Sequence, residues 1–477
     1  MKKDELTRAS RRRATIIVTI STSFLTTFTA SSVNLAVPAV SAQFHSNAAM
    51  IGWIITGYML ASTAFSAPFG RIADLTGRKR VLVTGILIFS LFSGACSLAW
   101  SVGSMTALRI AQGIGGAMIF STNIAILVDT FPPEMRGKVL GYSVASTYTG
   151  LTAGPVLGGL LNHYLGWHSI FLITGALGLA VFFLALFNLP SKKPAAAESR
   201  PVRGLYDAPG MILYVGMVLC VMYGFSALTE LFIARFLIPA GFVLGVFFVR
   251  RERRAASPII EVRLFASNLS FSLSNLATLL NYGATSAIGY FMSVYLQVAL
   301  GMSSQNAGLL LISQPLIMAI LSPYAGRLSD RVSPFKLASL GMGLCAAGLL
   351  LLSFISVAYP LPLIIVGLVI VGVGFGFFSS PNTNAIMSLV PRSDYGVTSS
   401  IIATMRGMGH TTSMAVVTLV VSAHLGTASF AGAPPALLIA TMRTGFIIFT
   451  VVCAVGVFCS MSGKRPWLRK NKENQGN

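Results

Sequence analysis
Long apolar runs broken by short polar clusters set the pattern of this chain. After a basic head holding Lys2, Lys3, Arg8, Arg11, Arg12 and Arg13, no formal charge appears until Arg71. Further low-charge blocks run over 81–128, 139–191, 208–249, 264–326, 337–391 and 395–463. The formal charges inside them are Arg109, Glu230, Arg235, Arg406 and Arg443. A bilayer-crossing helix takes about 20 apolar residues, so each block has room for two spans and an outer turn. Seven blocks predict seven helical hairpins: an all-α polytopic membrane protein of fourteen transmembrane helices. The outer turns, such as 43–47 and 162–168, are polar but nearly uncharged, and the longest, 424–441, is rich in Ala, Gly and Pro.

The polar cluster between the second and third spans is the densest. Residues Gly70 to Val81 place Asp74 among Arg71, Arg78, Lys79 and Arg80, with Gly70 and Gly77 giving the backbone freedom for a tight connection. A short loop so rich in Lys and Arg stays on the cytoplasmic side. Asp74 is placed to cap a helix start or to pair with Arg78, four residues on. This stretch resembles the loop signature of the major facilitator superfamily between its second and third helices; Leu75 stands where that family usually has a basic residue.

Composition agrees with the pattern. The chain has 477 residues, 54% hydrophobic and 10% charged, with a mean hydropathy of +0.77, whereas soluble domains carry about 25% charged residues. The net charge of +21 comes from 34 basic and 13 acidic residues, and all but four of the basic ones lie in the tails and inter-block loops. That distribution orients the protein, with both basic tails in the cytoplasm, and offers no groove for nucleic acid. Cys96, Cys220, Cys345, Cys453 and Cys459 all lie in apolar segments and form no CxxC, so neither a disulfide framework nor a metal site is expected. The stretch Ala39–Ala42 faintly resembles a leader-peptidase site, but the apolar run before it is too long for a leader, so no cleavage is expected.

An internal repeat organises the blocks. Gly326-Arg327-Leu328-Ser329-Asp330 echoes Gly70-Arg71-Ile72-Ala73-Asp74 at an offset of 256, and Asn384, Pro391 and Gly396 echo Asn123, Pro132 and Gly137 at offsets of 261, 259 and 259. Two related halves follow. The offset spans eight helices, so one hairpin is extra. The resulting 6+2+6 plan has an N-terminal six-helix bundle over 1–190, an inserted two-helix hairpin with its linkers over 191–263, a C-terminal bundle over 264–463 and a basic tail over 464–477.

Several motifs carry candidate chemistry. Gly150, Gly154 and Gly158 recur every four residues on one face of the fifth span, beside Pro155 and Gly159. Small residues at that spacing let helices approach closely, and the proline favours a bend. A generic packing seam accounts for the spacing equally well. In the fourth span, Arg109 is followed by Gln112 and a glycine-rich run; a charge there faces a cavity or a bonded partner. Asp129 closes that span. His410 lies one turn after Arg406 in the thirteenth span and has the chemistry to titrate near neutral pH, although packing histidines are commoner.

These motifs also resemble parts of the fourteen-helix drug:proton antiporter branch of the major facilitator superfamily. The resemblance implies that the Gly150–Gly159 run is the antiporter signature and that Arg109 belongs to a signature implicated in proton coupling. It implies that Gly70, Asp74, Gly77, Arg78 and Asp129 form a cytoplasmic gate. Tyr295-Leu296-Gln297, Pro381-Asn382-Thr383-Asn384 and Ser399 to Gly409 match the same branch. Asn34 and Pro38 match in the first helix, but Thr29 replaces the acid that the branch usually carries nine residues before that proline.

The expected function is secondary active efflux of lipophilic or amphiphilic drug-like molecules from the inner membrane. Proton antiport and alternating access are the expected mechanism, with Arg109, Gln112, Asn34, Arg406 and His410 as coupling or substrate candidates. Its partners are then membrane lipid, a small amphiphile and the proton. No cofactor is implied, and no catalytic constellation points to an enzyme. An exporter of lipids or anionic amphiphiles is the alternative, because arginines outnumber acids within the spans; a membrane sensor would need a ligand domain that the chain lacks.

Overall fold
A computed structural model describes residues 2–44, 48–189, 207–226, 232–255, 259, 265, 268–302, 304–356, 359–391, 394–425 and 434–462. Among these the chain is helical, with no strand. The helices are α1 (Lys2–Phe44), α2 (Ala48–Ala64), α3 (Ser66–Thr76), α4 (Arg78–Cys96), α5 (Val102–Thr130), α6 (Pro133–Leu165), α7 (Trp167–Asn188), α8 (Ala208–Ser226) and α9 (Ala234–Glu252). They continue with α10 (Leu269–Thr285), α11 (Ile288–Val294), a π-helical turn (Tyr295–Ala299), α12 (Ser304–Leu311), α13 (Ser313–Arg331), α14 (Pro334–Leu352), α15 (Leu361–Ser388), α16 (Tyr395–Leu425) and α17 (Pro435–Ser462).

Eight segments among the described residues are long and apolar enough to cross a membrane: Ser10–Val33, Arg78–Cys96, Val102–Thr130, Trp167–Asn188, Asn306–Arg331, Pro334–Leu352, Leu361–Ser388 and Pro435–Met461. Fewer qualify than the fourteen expected, for a physical reason. Helices α6 and α16 have 33 and 31 residues but are rich in Gly, Ser and Thr, which dilutes their hydropathy. Helices α2 and α3 are each too short alone, although hydrogen bonds from Phe65 N to Ala61 O (3.1 Å) and from Phe69 N to Phe65 O (3.2 Å) carry the helical ladder across their junction. Side chains such as Leu172, Leu177 and Phe183 on α7, and Phe242, Val246 and Phe247 on α9, are exposed. Apolar outer surfaces of this kind suit a lipid solvent, where helices satisfy their own backbone groups.

The chain divides into two compact units. The first comprises Met1–Val221, Pro239–Val262 and Val390–Thr404. In it α1 packs along α6 and α7, and α5 packs against α2 and α4. Its core includes Val18, Ile86, Phe89 and Ile119 in one cluster and Val33, Met105, Ile170 and Phe171 in another. Two contacts secure α8 and α9 here. Asp207 accepts from Gly210 N at the start of α8 (3.2 Å) and from Arg251 Nη2 near the end of α9 (3.0 Å). The Tyr214 hydroxyl on α8 meets the Thr404 hydroxyl on α16 at 2.7 Å. The second unit comprises Met222–Ile238, Arg263–Leu389 and Met405–Asn477. There α15 packs against α13 and α14, and α17 packs against α10 and α14. A Cβ on Gly341 would lie 2.5 Å from the Gly374 carbonyl oxygen, so α14 and α15 approach closer than side chains allow.

Candidate functional site
In the first unit, the polar cluster builds a buried junction around Asp74. This residue sits in the last turn of α3 and is 3% exposed. Its Oδ1 accepts from Arg78 Nε at 3.0 Å and Nη2 at 2.9 Å. The same carboxylate accepts from Gly396 N at 3.1 Å and Val397 N at 3.0 Å, the first turn of α16. Asp74 therefore pairs with its i+4 arginine and caps a helix start more than three hundred residues away, where unsatisfied N–H groups and the helix dipole favour an anion. Burial is the largest influence on this carboxyl and pushes it up to about 6, while Arg78 and the two backbone donors pull it down.

The glycines make this approach possible. A Cβ on Gly70 would lie 2.7 Å from the Gly396 carbonyl oxygen, and one on Gly396 would lie 2.7 Å from Asp74 Oδ2. Gly77 has φ +108°, a backbone geometry that other residues adopt only with strain, and it turns the chain from α3 into α4. Arg78 also points Nη1 at Asp129 Oδ2 (3.9 Å) and lies over the Tyr395 ring, 5.6 Å from its centroid, as does Arg136. Gly70, Asp74, Gly77, Arg78 and Asp129 are thus gathered with the start of α16, a partner that the sequence did not reveal.

The Gly150–Gly159 run lies along α1. A Cβ on Gly154 would meet Ser31 Oγ at 2.6 Å, and one on Gly158 would meet Ser32 Cβ at 2.7 Å; Gly150 presses on Phe24 O. Gly159 is half-buried beside them. Hydroxyl bonds stitch the seam: Thr27 to Thr147 O (3.0 Å), Ser31 to Leu151 O (3.1 Å) and Ser146 to Ile20 O (2.7 Å). The bond from Ser31 has a specific use. Pro155 has no N–H for the Leu151 carbonyl one turn earlier, and the Ser31 hydroxyl supplies the missing donor.

Arg109 on α5 is 1% exposed. Its Nε donates to Ile54 O at 3.1 Å, its Nη1 donates to Gln112 Oε1 at 2.6 Å, and its guanidinium lies 4.3 Å from the Tyr58 ring centroid. Thr29, in the place of the branch's usual acid, is fully buried and donates to Leu25 O at 2.7 Å. Asn34 sits on α1, and its side chain lies outside those described.

The second unit carries a separate polar cluster. Arg406 Nη2 donates to Thr383 Oγ1 at 3.0 Å, and the guanidinium lies 5.5 Å from the Tyr282 ring centroid. His410, one turn on, meets the same ring edge-on at 5.2 Å, and Phe375 meets it at 5.1 Å. Next to these, Asn382 donates to Thr278 Oγ1 (2.8 Å) and to Ser274 O (3.2 Å). Sequence reading singled out Arg406 and His410 but not Tyr282, Thr278 or Ser274. The signal was readable: Ser274, Thr278, Asn281 and Thr285 recur at helical spacing along α10 and form a polar stripe on one of its faces.

Comparison with known proteins gives a consistent answer. The family model described as Major Facilitator Superfamily matches residues 19–413 and 274–476. The riboflavin transporter RibZ of Clostridioides difficile (strain 630) is 30% identical over 387 residues, covering 81% of this chain and 83% of that protein. The drug efflux pump JefA of Mycobacterium tuberculosis (strain ATCC 25618 / H37Rv) is 29% identical over 427 residues, covering 88% and 82%. Among solved structures, the human organic anion transporter MFSD10 superposes with a TM-score of 0.68 at 14% identity, over 95% of this chain and 99% of that one, which shows a shared fold.

Proposed function
Because the chain belongs to the major facilitator superfamily, and is a multi-pass membrane transporter rather than an enzyme, we propose that it exports lipophilic or amphiphilic small molecules by proton antiport and alternating access. In this reading it is a fourteen-helix member of the drug:proton antiporter branch, in the inner membrane, with both termini cytoplasmic. The ladder of backbone hydrogen bonds across α2 and α3 supports counting them as one rod. The bonds from Ile312 N to Gly308 O (3.1 Å) and from Leu316 N to Ile312 O (3.0 Å) support the same for α12 and α13. At the α10–α11 junction Ser286 N bonds Tyr282 O (3.1 Å) and Phe291 N bonds Ala287 O (3.0 Å), while Ala287 N turns to the Ser413 hydroxyl (3.1 Å). Counting this bent pair as one rod as well gives fourteen rods, in the order six, two, six.

The observation that carries the reading is the Asp74 junction. A buried acid that clasps the start of α16 gives one conformational state a set of bonds that another state lacks, and states separated by a few kcal/mol respond to one such set. Asp74, Arg78, Asp129, Gly70 and Gly77 are then the cytoplasmic gate. The glycine seam between α1 and α6 is the rigid hinge of the N-terminal bundle. Arg109 with Gln112 and Tyr58 holds α5 to α2, and its engagement with a carbonyl favours a structural over a proton-carrying role. Asn34, Arg406 and His410 remain the candidates for contact with substrate. Asp74, a buried carboxyl raised to about 6, is the group in this reading best poised to exchange the coupled proton.

The relatives' printed activities bracket the substrate: drug efflux in one case, riboflavin transport in another. The test is reconstitution into liposomes with an imposed pH gradient, following a neutral aromatic dye and riboflavin in parallel. Dye uptake into the acidic lumen that collapses when the gradient is dissipated supports drug:proton antiport. Riboflavin movement without dye movement replaces drug export with vitamin transport, and movement of either that ignores the gradient removes proton coupling.

A further inference from the structure
Three of the four arginines within the apolar blocks, Arg109, Arg406 and Arg443, differ in how fully they are bonded. Arg109 is enclosed by a carbonyl, an amide oxygen and an aromatic face. Arg443, near the start of α17, donates to Ile355 O (2.6 Å) and Phe354 O (3.5 Å), beyond the end of α14, where free carbonyls favour a cation. Arg406 is different. Among the described residues its hydrogen bonding is the single bond to Thr383 Oγ1, although a guanidinium carries five N–H donors. Its Nε is buried and makes no hydrogen bond. No ion pair among the described residues includes it. The sequence between 264 and 463 contains two acids, Asp330 at the end of α13 and Asp394 just before α16. Asp394 is twelve residues from Arg406, or roughly 18 Å along a helix.

An arginine held among apolar helices with spare donors and no acid is costly on its own. The surroundings suit an arriving anion. The Tyr282 ring touches Arg406, His410 and Phe375, giving an aromatic wall beside the cation. The buried Ser379 hydroxyl, one turn from Thr383 on α15, also has no hydrogen-bond partner. We propose that Arg406, with Thr383, Tyr282 and His410, forms an anion-recognition subsite inside the second unit. It takes the single carboxylate or sulfonate of an aromatic amphiphile. The guanidinium fork receives the two oxygens, and the Tyr282–Phe375 wall receives the apolar body. This deepens the export reading by naming a substrate class, and it rests on that reading only for the claim that the bound molecule is then moved.

The test uses a matched pair of environment-sensitive dyes: 1-anilinonaphthalene-8-sulfonate and N-phenyl-1-naphthylamine, the same skeleton without the sulfonate. Binding to the purified full chain in phosphatidylcholine nanodiscs is measured by fluorescence, corrected against empty discs. Arg406→Gln is expected to weaken the sulfonate by about tenfold, the scale of one charge-assisted hydrogen bond, and the neutral dye by less than about twofold. Arg406→Lys keeps the charge without the fork and is expected to fall between; it also serves if the glutamine variant does not fold. Equal losses for both dyes, an unchanged sulfonate affinity in both variants, or no sulfonate binding by the wild type overturns the subsite. Repeating the titration with phosphatidylglycerol in the discs identifies the source of the anion. Competition points to a lipid headgroup, and its absence to a free amphiphile; both keep the anion chemistry. Transport is scored separately in liposomes. Binding that depends on Arg406 without transport of either dye sinks the export reading alone, and export of the neutral dye without the binding difference sinks the subsite alone.

Discussion
The two copies of the internal repeat share the sequence Gly-Arg-x-x-Asp and use it differently. In the first copy Asp74 is 3% exposed, pairs with Arg78 and caps the start of α16. In the second, Asp330 is half-buried in the last turn of α13. Three and four residues after the acid, the first copy has Gly77 and Arg78, and the second has Ser333 and Pro334. The second acid therefore has no i+4 arginine, because that position is the proline that opens α14. The turn differs too: Gly77 has φ +108°, whereas Ser333 has φ −51°. A repeated acid is thus not a repeated geometry; the next turn of chain decides whether an i+4 arginine stands beside it.

The largest effect should separate the two acids. Asp74→Asn removes an ion pair and weakens two backbone caps, each a charge-assisted bond worth about 1.5–3 kcal/mol, so export should fall by about a hundredfold while the protein still reaches the membrane. Asp330→Asn should cost less than about threefold. Comparable losses in dye-export assays of the two variants would erase the distinction between the copies.

The same acid should leave a pH signature. An acid whose folded-state value lies above its unfolded one binds its proton more tightly in the folded state. Here that value moves from 3.8 to about 6, so the stabilising contribution is complete below about pH 4 and is lost as pH rises through 6. The swing amounts to about 3 kcal/mol. Thermal unfolding of the wild type measured against Asp74→Asn should therefore lose ground between pH 4 and 6 and run parallel above it. A wild-type advantage that grows with pH would mean that Arg78 and the caps outweigh burial.

Close packing comes next. Gly70→Ala or Gly396→Ala forces a methyl group into the Asp74 junction and should cost about 1–3 kcal/mol, read as a lower unfolding temperature and reduced export. The smallest effect belongs to the turn. Gly77→Ala should cost about 1–2 kcal/mol through its positive φ, although nothing lies within 4 Å of the added carbon. Ser333→Ala, at a site where the side chain makes no cap bond, should change stability by less than about 0.5 kcal/mol.

Much was legible in the chain itself. Spacing between charges predicted membrane hairpins because a charge within a bilayer is expensive, and that penalty is written into composition. The every-fourth-residue glycines predicted a tight seam, and the structure places it along α1 with Ser31 serving the carbonyl that Pro155 leaves open. The i+4 spacing of Asp74 and Arg78 allowed their pairing, since helical geometry fixes that contact locally. What sequence alone left undecided was long-range. Asp74 meets Gly396 across 322 positions, Tyr214 meets Thr404 across 190, and Arg406 meets Thr383 on a different helix. No local periodicity encodes such pairs, because they arise only when separate helices pack. The same holds for Arg109, Arg406 and Arg443. Their cost is visible in sequence, but whether carbonyls and aromatic faces satisfy them, as at Arg109 and Arg443, or leave donors open, as at Arg406, is settled by tertiary neighbours. Desolvation and hydrogen bonding depend on what surrounds a group in space, and only the packed chain determines that.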